Sequence, residues 1–560
     1  MITRWHKFRT FLILLTLTAG LIYLLQRLYQ IQLVEGETLR AKAKRQHQID
    51  FRLSPRRGTI YDRNKKELAI NIAVDSIYAN PAKIRPVEGT VRKLSALLDI
   101  SPVVIEKKLK SDKAFVWLAR KVKKGLGAKV KQLSSAGLNY VEEVKRFYPK
   151  GKLAAHILGF SGMDGKGLEG LELYYDRYLR GAPGWDQSEK DARGREILSF
   201  RNEYSAPING LNLVLTIDEV IQNIAEQELE KAFQKSKAKG ATIVIMEPGT
   251  GKILALANRP TFDPNSFQDY LPSQHRNRAV TDGFEPGSTF KIITAAAALE
   301  EGLFQLEDKI FCEEGFYRLA GRTIRDVHPE GWLTFKEVVE KSSNIGAVKI
   351  GMALGKEKLY RYIISFGFGA RTGVDLPGEG KGLVRPPRSW SKLSLGSIPY
   401  GQEITVTAIQ LVSAVSAVAN GGVLMQPRIV DSIINKEGEV VKKFVPRPLR
   451  RVISPDTAKK LTDILVGVVD EGTGKAARLK EYRVAGKTGT AQVAGVGGYL
   501  PGKFIASFVG YLPADNPQIA ILVVVDEPQG TYYGGTVAAP VFRRVAEQVM
   551  AYLKMTDNRN

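Results

Sequence analysis

"FEPGSTFKIITAAAALEEG", Phe284 to Gly302, sets a serine and a lysine three positions apart where a loop hands over to an alanine-rich helix. Pro-Gly-Ser before an apolar run is the ordinary start of a capped helix, in which Ser288 would only accept from backbone N–H groups. The chemical alternative is a nucleophile. A serine hydroxyl attacks a carbonyl only when a base removes its proton, and Lys291, on the same helix face, can be that base if its pKa is brought down. The helix N-terminus would favour the developing alkoxide as well. Ser-x-x-Lys alone does not decide, since it occurs three times, at Ser236 to Lys239, Ser288 to Lys291 and Ser389 to Lys392. The first sits in a charged helix end and the third in a Pro-rich loop, which leaves the middle copy as the candidate.

Two distant stretches bear on the choice. "VEKSSNIGAVKIG" puts Ser342 and Asn344 where two helical stretches meet. A hydroxyl and an amide there could pass a proton and hold a carbonyl, or could simply mark a helix break with Asn344 in left-handed backbone. "YRVAGKTGTAQV" sets Lys487, Thr488, Gly489 and Thr490 on one strand. Gly489 there is expected to leave room for a ligand chain to lie alongside. Each element is unremarkable by itself. Ser-x-x-Lys, Ser-x-Asn and Lys-Thr-Gly in this order form the signature set of penicillin-recognising serine enzymes.

Around this core the chain reads as α/β and multi-domain. Its 560 residues exceed one ordinary core, and 44% hydrophobic with 25% charged residues is a globular composition. Thr10 to Leu25, "TFLILLTLTAGLIYLL", is uncharged and follows Arg4, Lys7 and Arg9. With Arg27 snorkelling, residues 10–29 reach bilayer-spanning length, and the basic flank places a short tail, residues 1–9, in the cytoplasm. More apolar residues follow the small ones at Thr18 to Gly20, so an uncleaved anchor is expected rather than a signal peptide. The bulk of the chain would then lie outside the cytoplasm, on a single-pass protein of the cell (inner) membrane.

Residues 30–208 read as an elongated α+β pedestal. Short strands are expected at Thr59 to Tyr61 and Leu68 to Asn71, and a lysine-rich helical stretch from Pro86 to about Leu138. Residues 209–555 form a second domain. It opens with an Asn-Gly turn and an amphipathic helix that Asp218 can cap, and it closes with a helix from about Pro540 to Lys554. Strand-like runs at "ATIVIMEP", "KILALANRP", "YRVAGKTGTAQV", "KFIASFVGYLP" and "QIAILVVVDEP" bracket a mostly helical insert, Pro286 to Ala419. The expectation is one antiparallel sheet with flanking helices, a helical lobe, and a cleft where they meet.

Formal net charge is +24, with no zinc-finger spacing, RNP-like run or P-loop, so an anionic lipid or wall polymer suits the charge better than nucleic acid. Cys312 is the only cysteine and the five histidines are scattered, which leaves no disulfide and no histidine metal site to expect. No cofactor is implied.

The chain resembles the class B penicillin-binding proteins, membrane-anchored peptidoglycan D,D-transpeptidases, over almost its whole length. "RRGTIYDRN", "GLEGLELYYDRYLRG", "GKTGTAQ" and "IASFVGYLPADNP" carry the likeness, and the first of these narrows it to class B. "GKTGTAQ" and "NRAVTDGFEPGSTFK" look like the cell-division (septal) branch, the penicillin-binding protein 3 type. The resemblance implies that Ser288 attacks the penultimate D-alanine carbonyl of a D-Ala-D-Ala stem peptide and that a neighbouring stem amine resolves the acyl-enzyme to a crosslink. It implies Lys291 as base and Ser342 with Lys487 as proton relay. Asn344 would position the acyl amide, Thr488 and Thr490 the terminal carboxylate, and the Ser288 and Thr490 N–H groups the oxyanion. To keep Lys291 neutral, desolvation and a positive charge supplied by Lys487 are expected. Implied partners are the stem peptides, β-lactams as covalent inhibitors, a membrane glycan polymerase and other division proteins. The alternatives are an elongation-type transpeptidase, a carboxypeptidase or β-lactamase, and a non-catalytic division scaffold. No Glu-x-x-Leu-Asn pattern for a deacylating carboxylate lies between the second and third motifs.

Overall fold

The runs expected as strands assemble into one five-stranded antiparallel sheet, ordered Ile253–Arg259, Gly240–Met246, Ile519–Asp526, Gly498–Leu512, Ala485–Gly495. The structure, a computed structural model, describes residues 3–113, 115–133, 137–190, 196–197, 203–495 and 497–557. Met1 and Ile2 of the expected cytoplasmic tail lie outside the described residues.

The inner strands read as unbroken apolar runs because both faces are covered. Ile243, Ile245, Ile521, Val523 and Val525 point into a core with Ile221, Leu229, Phe542 and Val549 of the helices Glu219–Ser236 and Ala539–Asp557. Their neighbours Val244, Met246, Leu522 and Val524 point into a second core, with Ile409 and Val412 of Ala408–Ala419 and Ile464 of Pro455–Asp470. Asp218 caps the first of these helices as expected, accepting from the N–H groups of Val220 (2.9 Å) and Ile221 (3.3 Å).

The helix Lys291–Glu300 lies within the second core and is buried all round from Lys291 to Leu299. Alanines at 295 to 298 let the helix Asn344–Leu354 pack closely against it. The insert is not purely helical. Short hairpins interrupt it, Lys309–Phe311 with Trp332–Thr334, and Phe316–Leu319 with Arg322–Arg325.

The chain forms two compact units, one made of the residues up to Arg56 with Gly181–Asn209, the other of Arg57–Arg180 with Gly210–Asn560. In the first, the apolar helix Arg4–Tyr29 is long and apolar enough to cross a membrane, and Gln48–Leu53 pairs antiparallel with Gly184–Lys190. In the second, a seven-stranded sheet joins stretches from both sides of position 209. Ile60–Tyr61 runs parallel to Asn212–Leu215, which pairs with Val430–Ile434.

The Pro86 to Leu138 stretch departs from its helical reading. Helices at Val87–Leu98 and Pro102–Leu109 are followed by a strand, Val116–Lys123, paired with Glu67–Ala79. Only Leu118 of that strand is fully buried, and the lysines and arginine around it conceal the alternation.

Candidate active site

Ser288 sits in a 3-10 turn, Gly287–Phe290, that leads directly into the helix beginning at Lys291. At three residues per turn, positions i and i+3 eclipse, so Ser288 and Lys291 stack on one side. Ser288 does not cap the helix. Phe290 holds the N-cap position of the helix and Pro286 that of the turn, and among the described residues the half-buried Ser288 hydroxyl makes no hydrogen bond. The turn is fixed from below by Thr289 Oγ1, which donates to Pro286 O at 2.8 Å. Gly287 adopts φ +56°, and a Cβ there would stand 2.8 Å from Thr490 O, so the turn that carries Ser288 can approach the edge strand only with glycine at this position.

Gly489 serves the same approach from the other side. Its missing Cβ would lie 2.3 Å from Ser507 Oγ, 2.8 Å from Thr289 Cγ2 and 3.0 Å from Pro286 O. The vacant space is filled by the chain itself.

Lys291 Nζ donates to three acceptors: Asn344 Oδ1 at 2.8 Å, Ser342 Oγ at 3.2 Å and the Ser342 backbone carbonyl. Lys487, from the edge strand Ala485–Gly495, reaches the same hydroxyl, with Nζ 2.9 Å from Ser342 Oγ. Two lysines, 1% and 0% exposed, therefore meet on one serine. Ser342 can serve both because it takes the left-handed backbone, φ +63°, at the break between Phe335–Glu340 and Asn344–Leu354. That strained position was expected at Asn344, which is instead the first helical residue. Left-handed backbone disfavours a non-glycine residue by about 1–2 kcal/mol, and here it aims both the hydroxyl and the carbonyl of Ser342 at Lys291.

Burial lowers the Lys291 pKa to about 7, against opposing attraction from Asp326. Lys487 is lowered well below the ordinary lysine value, first by burial and then by repulsion from Lys291. The repulsion acts on Lys487, and Lys487 is not among the causes that lower Lys291. Desolvation is what keeps Lys291 neutral. A neutral Lys291 carries a lone pair able to take a proton, and Lys487 Nζ, Ser342 Oγ and Lys291 Nζ form a continuous chain of polar groups.

Thr488 and Thr490 take the face of the strand opposite Lys487. The buried Thr488 hydroxyl pairs with that of exposed Thr473 at 2.8 Å, and Thr490 Oγ1 accepts from Gly534 N at 3.0 Å, which leaves the Thr490 proton free to be donated. Sequence reasoning passed over Thr473, whose partner lies 15 residues on.

It also passed over Asp326. This half-buried carboxylate ends the hairpin Phe316–Leu319/Arg322–Arg325 and accepts from Ser343 Oγ (2.5 Å), from Asn344 N and from Ile345 N (3.1 Å). A lone aspartate after a short strand carries no periodic or spacing signal.

The family described as "Penicillin binding protein transpeptidase domain" matches residues 241–547, and "Penicillin-binding Protein dimerisation domain" matches residues 52–215. Stage V sporulation protein D of Bacillus subtilis is 39% identical over 95% of this chain and 84% of its own. Peptidoglycan D,D-transpeptidase FtsI of Escherichia coli is 32% identical over 95% of this chain and 89% of its own. Among solved structures, penicillin binding protein 3 of Mycobacterium tuberculosis in complex with aztreonam superposes with a TM-score of 0.70 at 29% identity, covering 90% of this chain and 97% of that one.

Proposed function

Because this chain belongs to the class B penicillin-binding proteins and is a serine-type peptidoglycan D,D-transpeptidase, we propose that Ser288 is its acyl-enzyme nucleophile and that it works in septal wall synthesis as a target of β-lactams. The observation that carries the site assignment is the path Lys487 Nζ, Ser342 Oγ, Lys291 Nζ beside an unpartnered Ser288 hydroxyl.

Neutral Lys291 takes the Ser288 proton as Oγ attacks the carbonyl of the penultimate D-alanine. The bond to the terminal D-alanine breaks, and the proton reaches the leaving amine through Ser342 and Lys487. Asn344 holds the acyl amide, and the N–H groups of Ser288 and Thr490 receive the oxyanion. The terminal carboxylate lies along Gly489 against the hydroxyls of Thr490 and Thr488, the latter backed by Thr473. An amine from a second stem then displaces Ser288 to form the crosslink. The apolar helix Arg4–Tyr29 anchors the chain with its N-terminus in the cytoplasm, and residues 30–208 form the region that meets a glycan polymerase and other division proteins, ahead of the catalytic region 209–555.

The 39% identity to a sporulation protein supports a second reading, the same chemistry used in wall synthesis during spore formation. Labelling with a fluorescent penicillin and mass spectrometry of the tagged peptide tests the nucleophile. An adduct on Ser288 that disappears in Ser288→Ala supports it, and undiminished labelling of that variant overturns it. Fluorescent-fusion imaging separates the roles, since septal location supports division and forespore-restricted location the alternative.

A further inference from the structure

The strongest unassigned group in the molecule is the Asp326 carboxylate. Four segments of the chain place polar groups around the buried lysines. The edge strand supplies Lys487, the segment before Asn344–Leu354 supplies Ser342 and Ser343, the region after Lys309–Phe311 supplies Cys312, and the end of the second hairpin supplies Asp326. Cys312 is a buried thiol whose pKa burial pushes up, so it stays neutral. Asp326 is therefore the negative charge set against Lys291.

We propose that Asp326 is a positioning residue for acylation, holding Ser342 and Asn344 over Lys291 through three hydrogen bonds and providing the counter-charge to Lys291. This rests on the reading of Lys291 as the base. The geometry is specific. One carboxylate oxygen accepts from Asn344 N and from Ile345 N at 3.1 Å, satisfying two of the free N–H groups that open the helix Asn344–Leu354. The other accepts from Ser343 Oγ at 2.5 Å, and that hydroxyl in turn accepts from Gly346 N at 2.9 Å as the helix N-cap. The hairpin reinforces the grip, since Asn344 Nδ2 donates to Arg325 O at 3.0 Å while Asn344 Oδ1 accepts from Lys291 Nζ at 2.8 Å. Asp326 is itself held by its backbone N–H, which donates to Gly315 O at 3.2 Å. A displacement of the hairpin therefore shifts the residues that define the Lys291 site.

The charge has an effect distinct from the hydrogen bonds. Asp326 favours protonated Lys291 and so opposes the desolvation that lowers its pKa to about 7. Removing the charge and keeping the shape must move Lys291 further down, so that a larger fraction is neutral on the acid side of its titration.

The test is the second-order rate of penicillin acylation of the full-length protein as a function of pH, for the wild type, Asp326→Asn and Ser343→Ala. Asp326→Asn is expected to lower the plateau rate by roughly tenfold, on the scale of one lost charge-assisted contact, and to shift the acid limb to lower pH. Ser343→Ala removes a contact of Asp326 without touching the charge, and is expected to lower the plateau with the limb in place. A limb that stays in place in Asp326→Asn, or moves equally in Ser343→Ala, overturns the proposal. Absence of labelling in the wild type would instead mark failure of the Ser288 reading. If Asp326→Asn does not fold, Asp326→Glu decides, since it keeps the charge and must leave the limb in place.

Discussion

Two clusters of buried charge lie in the larger unit, and they are built on opposite terms. In one, Glu172, fully buried, accepts from Arg57 and, at 2.6 Å, from Arg146, while Arg57 also pairs with Asp176 at 2.6 Å. Two guanidiniums meet two carboxylates, and Tyr148 OH adds a bond to Glu172 at 3.3 Å. Burial alone would raise the Glu172 pKa, but Arg146 and Arg57 outweigh it and leave it lowered. In the other cluster two lysines converge on one serine, with Asp326 as the one carboxylate among the described residues that acts on Lys291. The balanced cluster holds the fold. The unbalanced one gives up stability to keep an amine unprotonated, which is what a general base requires.

Breaking each cluster separates the two terms. Lys291→Met keeps the length of the side chain and removes the amine. Acylation by a fluorescent penicillin is expected to fall by on the order of 10³–10⁴-fold, the scale seen when a member of a concerted catalytic unit is lost. Stability to urea should change by about 1 kcal/mol or less, because the variant relieves a desolvated amine while leaving half-buried acceptors within reach of water. A large loss of stability would mean that Lys291 is structural.

Glu172→Gln should do the reverse. It leaves two buried guanidiniums short of a counter-charge, and breaking a buried pair from one side costs about 3–5 kcal/mol. The urea midpoint should drop accordingly, while the acylation rate of the molecules still folded stays near that of the wild type.

The pH dependences differ in sign as well as position. The folded Glu172 pKa is depressed, so its stabilisation is present above the unfolded carboxylate value and is lost as pH falls through the folded value. Lys291 binds its proton less readily when folded than when unfolded, so between about 7 and 10.5 the unfolded state holds more protons and stability rises with pH. Below about 7 its penalty is complete. Stability of the wild type relative to Lys291→Met should therefore improve across that alkaline window, and Glu172→Gln should lose most of its acid-side dependence. Acylation should rise with pH through about 7 as Lys291 becomes neutral.

These contrasts also mark what was legible in the sequence. Ser288 and Lys291 were readable because their relation is local, three residues apart on one turn. Ser342, Asn344 and Lys487 were readable as an ordered set, although the left-handed residue proved to be Ser342. The sheet strands announced themselves as apolar runs. The groups that set charge balance were not legible. Asp326, 35 residues beyond Lys291, reaches the site only because a hairpin folds back. The direction of the lysine coupling depends on burial, which no spacing records. The strand Val116–Lys123 was hidden for a related reason, since on a half-exposed edge lysine and arginine stems fill positions that alternation would reserve for apolar groups.

A neutral hydrogen bond supplies the scale for both clusters. Thr334 and Glu337 form a capping box at the start of Phe335–Glu340, the short helix that leads to Ser342. Thr334 Oγ1 accepts from Glu337 N at 3.1 Å, and the Glu337 carboxylate accepts from Thr334 N at 2.8 Å. Thr334→Ala removes the first bond and leaves the second, so a loss of about 1 kcal/mol in urea unfolding is expected. Acylation should stay within about twofold of the wild type, because Ser342 is also held by both lysines and the following helix by Asp326. A much larger fall in acylation would show that the left-handed turn at Ser342 is maintained from the helix before it rather than by the charges around it.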